Sequence, residues 1–231
     1  MFLASVIGGT TGFATALVAT PLLLLAGMEV SQVVVVNLLS TLSTRVTTLI
    51  RLRTLVDRRS VALLVAGSTP GAVAGAVTAG WLDQHVLKLG AGVFIALAGL
   101  FLLLYRPRNR RSPGAATYAA AGLFSGYLST SISLSGPPVA ALLTHSPRTP
   151  DQFIADFAGY FVATNAISIA LLSFHGSIPA AVLWPALPLL IAAALAGNHI
   201  GTRLGRIIPQ QVFQTAVKLL IIVSGVVTAL A

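Results

Sequence analysis

The sequence contains no cysteine and few charged residues, and each of these absences excludes a class of protein. Without cysteine, the chain of 231 residues has no disulfide bond, no thiolate nucleophile and no cysteine-ligated zinc or iron–sulfur site. Only 8% of the residues are charged, whereas soluble domains average about 25%. With 56% hydrophobic residues and a mean hydropathy of +0.92, the composition excludes a water-soluble globular protein and indicates one that crosses a membrane several times.

Acidic residues are also scarce: 5 Asp and Glu stand against 14 Lys and Arg, which gives a formal net charge of +9. A basic excess can indicate a nucleic-acid-binding protein, but here the basic residues lie in short clusters between long apolar runs. That distribution is typical of the cytoplasmic loops of an inner-membrane protein. We therefore expect a lipid bilayer around the chain, no nucleic-acid partner and no cofactor, and we find no His, Asp and Glu cluster with metal-ligand spacing.

Six apolar stretches are long enough to cross a bilayer as helices, for which about 20 residues suffice. They are residues 31–50, 60–82, 86–105, 153–174, 179–201 and 211–230. Two further apolar stretches, residues 2–27 and 115–145, are each interrupted near the middle by glycine, serine or threonine, and each then meets proline. The chain is therefore predicted to be an all-α polytopic membrane protein.

The two halves of the chain resemble each other, which predicts an internal repeat. A pair of glycines four residues apart in the first half recurs 126 residues later, at Gly197 and Gly201. We expect residues 1–105 to form the first repeat, residues 106–114 a basic cytoplasmic linker, and residues 115–231 the second repeat. Each repeat then consists of one interrupted stretch and three spans, and such repeats are a recurrent way of building transporters.

Two membrane arrangements are compatible with these stretches. If all eight cross, the repeats lie parallel. If the interrupted stretches are re-entrant hairpins, each repeat crosses three times and the repeats are inverted. Of the twelve Lys and Arg residues in loops or at span ends, eight lie inside in the all-crossing arrangement and eleven in the hairpin arrangement. Because cytoplasmic loops are enriched in basic residues, this comparison favours re-entrant hairpins and inverted repeats.

The interrupted stretches form the predicted anion site. A helix that begins just after a hairpin tip directs its positive end and its free peptide N–H groups at the neighbouring space. Two tips from opposite sides would direct two such ends at one point near the middle of the bilayer. The predicted ligand residues are Thr10, Thr11, Gly12 and Thr15 in the first tip and Ser129, Thr130, Ser131, Ser133, Ser135, Gly136 and Pro137 in the second. In the alternative interpretation, these hydroxyls only satisfy broken backbone or hold helices together.

Polar residues within the predicted spans extend the candidate site. Asn37 and Thr41 lie four residues apart, on one face of their helix, and such a face lines either a pathway or a helix contact. Asn165 lies near the middle of its span and corresponds to Arg45 at a repeat offset of 120 residues. We therefore include Asn37, Thr41 and Asn165 among the residues expected to bind the substrate.

Three ionisable side chains inside the spans are candidates for a charge or proton-relay role, because such groups are costly in a membrane and usually functional. Arg45 either attracts the anion or extends its side chain to the inner interface near Arg51. Asp156 either pairs with Lys218 or a loop arginine, or relays protons. His199 is the second possible relay if transport is proton-coupled.

The second interrupted stretch carries a resemblance to a known family. From Ser125 to Pro138 it reads SGYLSTSISLSGPP, which resembles the second-repeat signature of the TauE/SafE family of sulfite exporters, a run of small residues ending in Gly-Pro. The segment from Gly9 to Pro21 is similar to the family's glycine-rich first motif, with Ala-Thr-Ala where many members have three glycines. The resemblance implies a secondary transporter of a small anion in the bacterial inner membrane, with sulfite, a sulfonate, thiosulfate or an organic acid as the substrate.

Three functions can be considered for a sequence with these features. A secondary transporter would move its anion by alternating access, the two halves rocking around the hairpin tips, with protons as a possible coupling ion. An anion channel or pore-forming oligomer is the alternative, and it requires a continuous pore. An intramembrane enzyme is disfavoured, because the sequence offers no convincing nucleophile–base pair at mid-span.

Overall fold

The computed structural model of the protein describes residues 1–104, 113–146, 148–174 and 186–204, with the isolated residues Leu219, Ile222, Val223 and Val226. Within these residues the secondary structure is entirely helical, as predicted. In chain order the helices are α1 (Phe2–Thr11), α2 (Thr15–Leu25), α3 (Val30–Leu52), α4 (Arg58–Ala79), α5 (Gln84–Leu104), α6 (Ala115–Ile132), α7 (Gly136–His145), α8 (Pro150–Phe174) and α9 (Ala186–Leu204), and a 3₁₀ turn (Arg53–Leu55) follows α3.

Three of the described helices, α3, α4 and α8, are long and apolar enough to cross a membrane. At about 1.5 Å per residue, the 25 residues of α8 extend further than the roughly 30 Å of a hydrocarbon core. Helices α5 and α9 occupy the positions of two further predicted spans. The predicted span at 211–230, with Lys218, and most of the predicted basic linker lie outside the described residues, apart from the isolated positions named above.

Each interrupted stretch consists of two helices separated by a short break. The first helix of each pair ends at a residue with left-handed backbone, Gly12 with φ of 88° and Ser133 with φ of 58°. The second helix begins three residues later, at Thr15 and at Gly136. Left-handed backbone is ordinary for glycine but uncommon for serine. Pro137 lies in the first turn of α7, where its missing N–H removes no hydrogen bond.

The breaks are shorter than the glycine- and serine-rich runs suggested. Helix α1 continues through Thr10 and Thr11, and α6 continues through Ser129, Thr130 and Ser131. The hydroxyls of Thr10, Thr11 and Ser131 each donate to the carbonyl three or four residues earlier in the same helix, at 2.7–2.9 Å. Hydroxyl side chains bonded in this way are compatible with a continuous helix, so the run of serine and threonine does not itself form the tip.

Both helix pairs turn sharply at the break. Tyr118, near the start of α6, contacts Ser146 just after the end of α7, with 3.1 Å between the hydroxyl oxygens. The second stretch therefore begins and ends at the same end of the bundle. In the first stretch, a Cβ at Gly8 would overlap the Thr15 side chain, so α2 starts beside the last turns of α1.

Glycines allow close contact between α4 of the first predicted half and α6 of the second. The contact residues are Gly67, Gly71 and Gly75 on α4 and Gly122 and Gly126 on α6. A Cβ at any of these glycines would lie 2.0–2.4 Å from an oxygen of the other helix. Such spacing of small residues brings the two backbones into direct contact, which is a common basis of helix association in membranes.

Helices α1 and α9 cross in the same manner. A Cβ at Gly9, Gly197 or Gly201 would lie 2.1–2.7 Å from a main-chain oxygen of the other helix. Helix α3 also packs along α8. Because all three pairs join one helix from each predicted half, the halves interlock around a shared centre instead of forming two separate lobes.

Replacing Gly71 with alanine should destabilise the protein, because the new Cβ would lie 2.0 Å from the Leu123 carbonyl oxygen. Overpacking of this kind costs about 1–3 kcal/mol. Gly90→Ala is the matched control, since it lies in α5 with open space around the glycine. Thermal unfolding of the purified protein in detergent should show a lower midpoint for Gly71→Ala only, and equal midpoints would contradict the backbone contact.

Candidate functional site

The two breaks meet α3 and α8 around one small internal cavity. Eight of the residues predicted to bind the substrate line it: Thr15, Asn37, Thr41, Ser133, Ser135, Gly136, Pro137 and Asn165. The cavity has a volume of about 10 Å³, which is room for about one water molecule. The structure is therefore closed around this point, and a larger solute requires the surrounding helices to move.

The other predicted ligand residues are absent from the cavity lining, and two of them contact neighbouring helices. The Thr130 hydroxyl donates to the carbonyl of Ala72 on α4 at 2.8 Å. The Ser129 hydroxyl lies 3.1 Å from that of Ser168 on α8. Four further predicted residues are also absent from the lining, namely Thr10, Thr11, Gly12 and Ser131. All four lie close to the breaks in the sequence, but the hydroxyls of Thr10, Thr11 and Ser131 are bonded to carbonyls of their own helices, and Gly12 contributes only backbone.

The first residues of two helices face the cavity. Thr15 begins α2 and Gly136 begins α7, and both line the cavity wall. Neither helix has a side-chain cap at its N-terminus. The first-turn N–H groups of a helix have no acceptor within that helix, and together they carry about half a positive elementary charge. This arrangement is suited to binding an anion.

Arg45 is a buried cation in the cavity wall. Its side chain is only 2% exposed, so the alternative in which it extends to the interface is wrong. The guanidinium donates from Nη2 to the Gly8 carbonyl at 3.3 Å and lies 5.9 Å from the centre of the Phe161 ring, while Nε finds no hydrogen-bond acceptor in the described ranges. Among the described residues it forms no ion pair. A buried positive charge without a carboxylate is costly, and it creates a strong preference for an anion nearby.

Asn37, another residue of the cavity wall, joins the two halves. Its side-chain amide donates to the hydroxyls of Thr20 and Ser133, both at 2.9 Å. The amide oxygen Oδ1 is buried and has no hydrogen-bond donor in the part of the chain that the structure describes. Across the cavity, Asn165 donates to the carbonyl of Leu38 at 3.4 Å. These amides hold α3 against α2, α8 and the second break, and they add polar groups to the cavity wall.

Sequence reasoning missed a hydrogen-bonded chain that supports the second break. The Tyr160 hydroxyl donates to the Ser125 hydroxyl at 2.7 Å, which in turn donates to the carbonyl of Ser135, the residue just before α7. Both Tyr160 and Ser125 are fully buried. The available signal was helical spacing, because Asp156, Tyr160 and Thr164 recur every fourth residue on one face of α8.

A charged cluster lies at the end of the bundle where α8 begins. Arg148 pairs with Asp156 and with Asp57, and it donates to the hydroxyls of Tyr118 at 3.1 Å and Ser60 at 2.8 Å. Asp156 is fully buried and also accepts the main-chain N–H of Asp57 at 2.7 Å. The structure therefore contains an ion pair between Asp156 and a loop arginine, Arg148. Such a pair was one of the two alternatives for Asp156.

The cluster makes the stabilisation that Asp57 provides sensitive to acid. The hydrogen bond from the Ser60 hydroxyl, the main-chain N–H groups of Ser60 and Arg59 and the charge of Arg148 hold the pKa of Asp57 below its ordinary value, against an opposing effect of burial. Because the folded pKa is lowered, the stabilisation is present above the ordinary pKa of the carboxyl and is lost as the pH falls through the folded pKa.

Neither predicted proton relay lines the cavity. Asp156 is nine residues from Asn165 on α8, which is about 13 Å along a helix. His199 lies on an exposed face of α9. A relay role for either residue stays a prediction.

Three comparisons relate the chain to known proteins. Residues 1–228 match the family model described as sulfite exporter TauE/SafE. The chain is 29% identical over 168 residues to the probable inner membrane transporter protein TsaS of Comamonas testosteroni, an alignment that covers 72% of this chain and 70% of that protein. It is 27% identical over 150 residues to the probable sulfite/organosulfonate exporter TauE of Cupriavidus necator, covering 62% of this chain and 59% of that protein. No solved structure matches significantly.

Removing the Tyr160 hydroxyl should disturb the second break. Tyr160→Phe leaves Ser125 without its donor, a loss of about 0.5–1.5 kcal/mol in stability for a hydrogen bond of this kind. We also expect anion uptake into proteoliposomes to fall several-fold, since Ser135 lines the cavity. Tyr127→Phe is the control, because its hydroxyl bonds Thr78 and its side chain is not in the cavity wall. Equal uptake by both variants would show that the hydrogen bonds from Tyr160 through Ser125 to Ser135 do not support the site.

Replacing Asp156 with asparagine should destabilise the protein more than the same change at Asp57. Asp156→Asn leaves a mostly buried Arg148 without its closest carboxylate, and breaking a buried pair costs about 3–5 kcal/mol. Asp57 is half-exposed, and asparagine caps the helix as well as aspartate does, so Asp57→Asn should cost about 1 kcal/mol or less. Thermal unfolding in detergent compares the two, and similar losses would contradict the central role of Asp156.

Proposed function

This chain belongs to the sulfite exporter TauE/SafE family, and we propose that it carries a small anion of the sulfite or organosulfonate type across the bilayer. It is a multi-pass protein of the inner membrane and a transporter, not an enzyme. In the proposal the anion binds in the cavity between the two helix breaks. The description of the family model and the name of one relative, a probable sulfite/organosulfonate exporter, support the substrate type.

The main support for the proposed site is the buried position of Arg45. Its guanidinium lies in the cavity wall with one donor free and no carboxylate partner among the described residues. A structural arginine in an apolar interior is normally paired with a carboxylate, because an isolated charge there is strongly unfavourable. An arriving anion supplies the missing negative charge and accepts hydrogen bonds from the guanidinium.

Neutral donors complete the proposed site. The uncapped N-terminus of α2 presents peptide N–H groups, that of α7 presents fewer because Pro137 and Pro138 have no N–H, and the side chains of Thr41 and Ser133 add hydroxyls. Because these donors belong to both breaks and to α3, a movement of either break changes the number of contacts that the anion makes. Weak, distributed donors of this kind also allow the ligand to leave, as transport requires.

In the proposed arrangement the interrupted stretches are re-entrant hairpins, and residues 1–105 and 115–231 are inverted repeats. The contact between Tyr118 and Ser146 supports this, because the second stretch returns to the end at which it started. The similar geometry of the two breaks and the similar crossings of α4 with α6 and of α1 with α9 also support an internal pseudo-two-fold relation.

The closed cavity favours a carrier that works by alternating access over the alternative of an anion channel. A cavity of about 10 Å³ cannot hold sulfite, so the anion enters only when the helices around it separate. An open cavity of about 610 Å³ beside Arg148 and Asp156 lies at the charged end of the bundle, and it is the side on which we propose that the site opens. Saturable counterflow exchange would agree with a carrier, whereas single-channel currents would contradict it.

Arg45→Gln should reduce sulfite and sulfonate uptake into proteoliposomes by at least about tenfold, since a charge-assisted hydrogen bond is worth roughly 1.5–3 kcal/mol. Arg51→Gln is the matched control, because Arg51 lies six residues further along the same helix with an exposed side chain. Arg51→Gln should transport like the unmodified protein. Unaffected uptake by a correctly folded Arg45→Gln variant would contradict the proposed site.

A further inference from the structure

We infer that the cavity selects an anion with a single negative charge and an apolar part over a doubly charged anion. The inference rests on the proposed transport function and adds the charge and the shape of the substrate. Two features of the cavity wall carry it: the number of charges that it contains, and the position of its aromatic and aliphatic side chains.

The part of the wall that the structure describes provides one full positive charge. Arg45 is the only ionisable side chain among the described residues that line the cavity. The nearest charged cluster on α8 is centred on Asp156, and its arginine is already paired with two carboxylates. One negative charge on the ligand is therefore neutralised by Arg45, whereas a second would find no further cation among the described lining residues. Burial of an unpaired charge is strongly unfavourable in a protein interior.

The helix termini do not add a second net charge. The N-termini of α2 and α7 face the cavity, but the C-termini of α1 and α6 end at the same two breaks. Ser133, at the end of α6, is itself part of the cavity wall. Because a helix carries opposite partial charges at its two ends, the four termini largely offset one another. They provide directed hydrogen-bond donors and leave Arg45 as the source of net charge.

The wall also has an apolar part. Phe13, Leu17, Leu38, Leu134 and Phe161 line the cavity together with the polar residues. The Phe161 ring lies beneath the guanidinium of Arg45, so aromatic surface adjoins the point where the charged head would bind. A ligand made only of hydrated oxygens leaves this surface without a partner, whereas an alkyl or aryl group on a sulfonate head would cover it.

Competition binding on the purified full chain in detergent tests the charge, at constant ionic strength. Ethanesulfonate and ethanedisulfonate carry the same head and differ by one charged group. We expect ethanesulfonate to bind at least about tenfold more tightly, and equal or tighter binding of the disulfonate would overturn the inference. Sulfite provides a second arm: its binding should weaken as the pH rises and hydrogensulfite becomes the dianion, while binding of ethanesulfonate stays constant.

Comparison of methanesulfonate with benzenesulfonate tests the apolar part. Benzenesulfonate should bind more tightly to the unmodified protein, and Phe161→Leu, which keeps most of the side-chain volume, should reduce that difference without changing the preference for one charge over two. Equal binding of both sulfonates to the unmodified protein would overturn the apolar part of the inference. If no anion binds or is transported, the proposed function fails as well; if the disulfonate is bound and carried as well as ethanesulfonate, only this inference fails.

Discussion

Direct contact between backbones at the glycine crossings is the constraint on which the rest of this structure depends. A broken helix leaves polar main-chain groups at a depth where lipid cannot satisfy them, so protein must cover each break. The crossings of α4 with α6 and of α1 with α9 hold the first helix of each broken pair against a helix from the other half. No side chain larger than hydrogen fits at these positions, which explains the spacing of the glycines by four residues.

This covering produces the properties of the site. Because both breaks are packed against α3 and α8, the N-termini of α2 and α7 meet in one small cavity, shielded from the surroundings. In such a cavity a single guanidinium exerts a strong field, since little water is present to screen it. The charge of Arg45, the free peptide donors and the apolar wall then act together on any ligand that enters. In the proposed function, stability and anion recognition thus come from the same interlocked packing.

The sequence predicted the helices more accurately than the residues of the site. Long apolar runs correctly predicted α3, α4, α5 and α8, because hydrophobic length alone decides whether a helix forms in a bilayer. The positions of the breaks were found approximately, but Ser129 and Thr130 were placed in the tip although they belong to α6. A serine-rich run is compatible with both a break and a helix, and the choice depends on whether neighbouring helices provide acceptors, as Ala72 does for Thr130.

The sequence by itself determined the membrane class, the approximate limits of most helices and the family, because these follow from composition, periodicity and short motifs. Only the tertiary structure decided which hydroxyls face the cavity, that Arg45 points inward with no carboxylate partner in the described part of the chain, and that Tyr160 supports Ser135 through Ser125. These properties depend on how helices are rotated about their axes and on which residues of distant segments meet. Hydrophobicity along the chain carries little of that information, since the direction of a polar side chain is set by the partner that the packed fold brings to it.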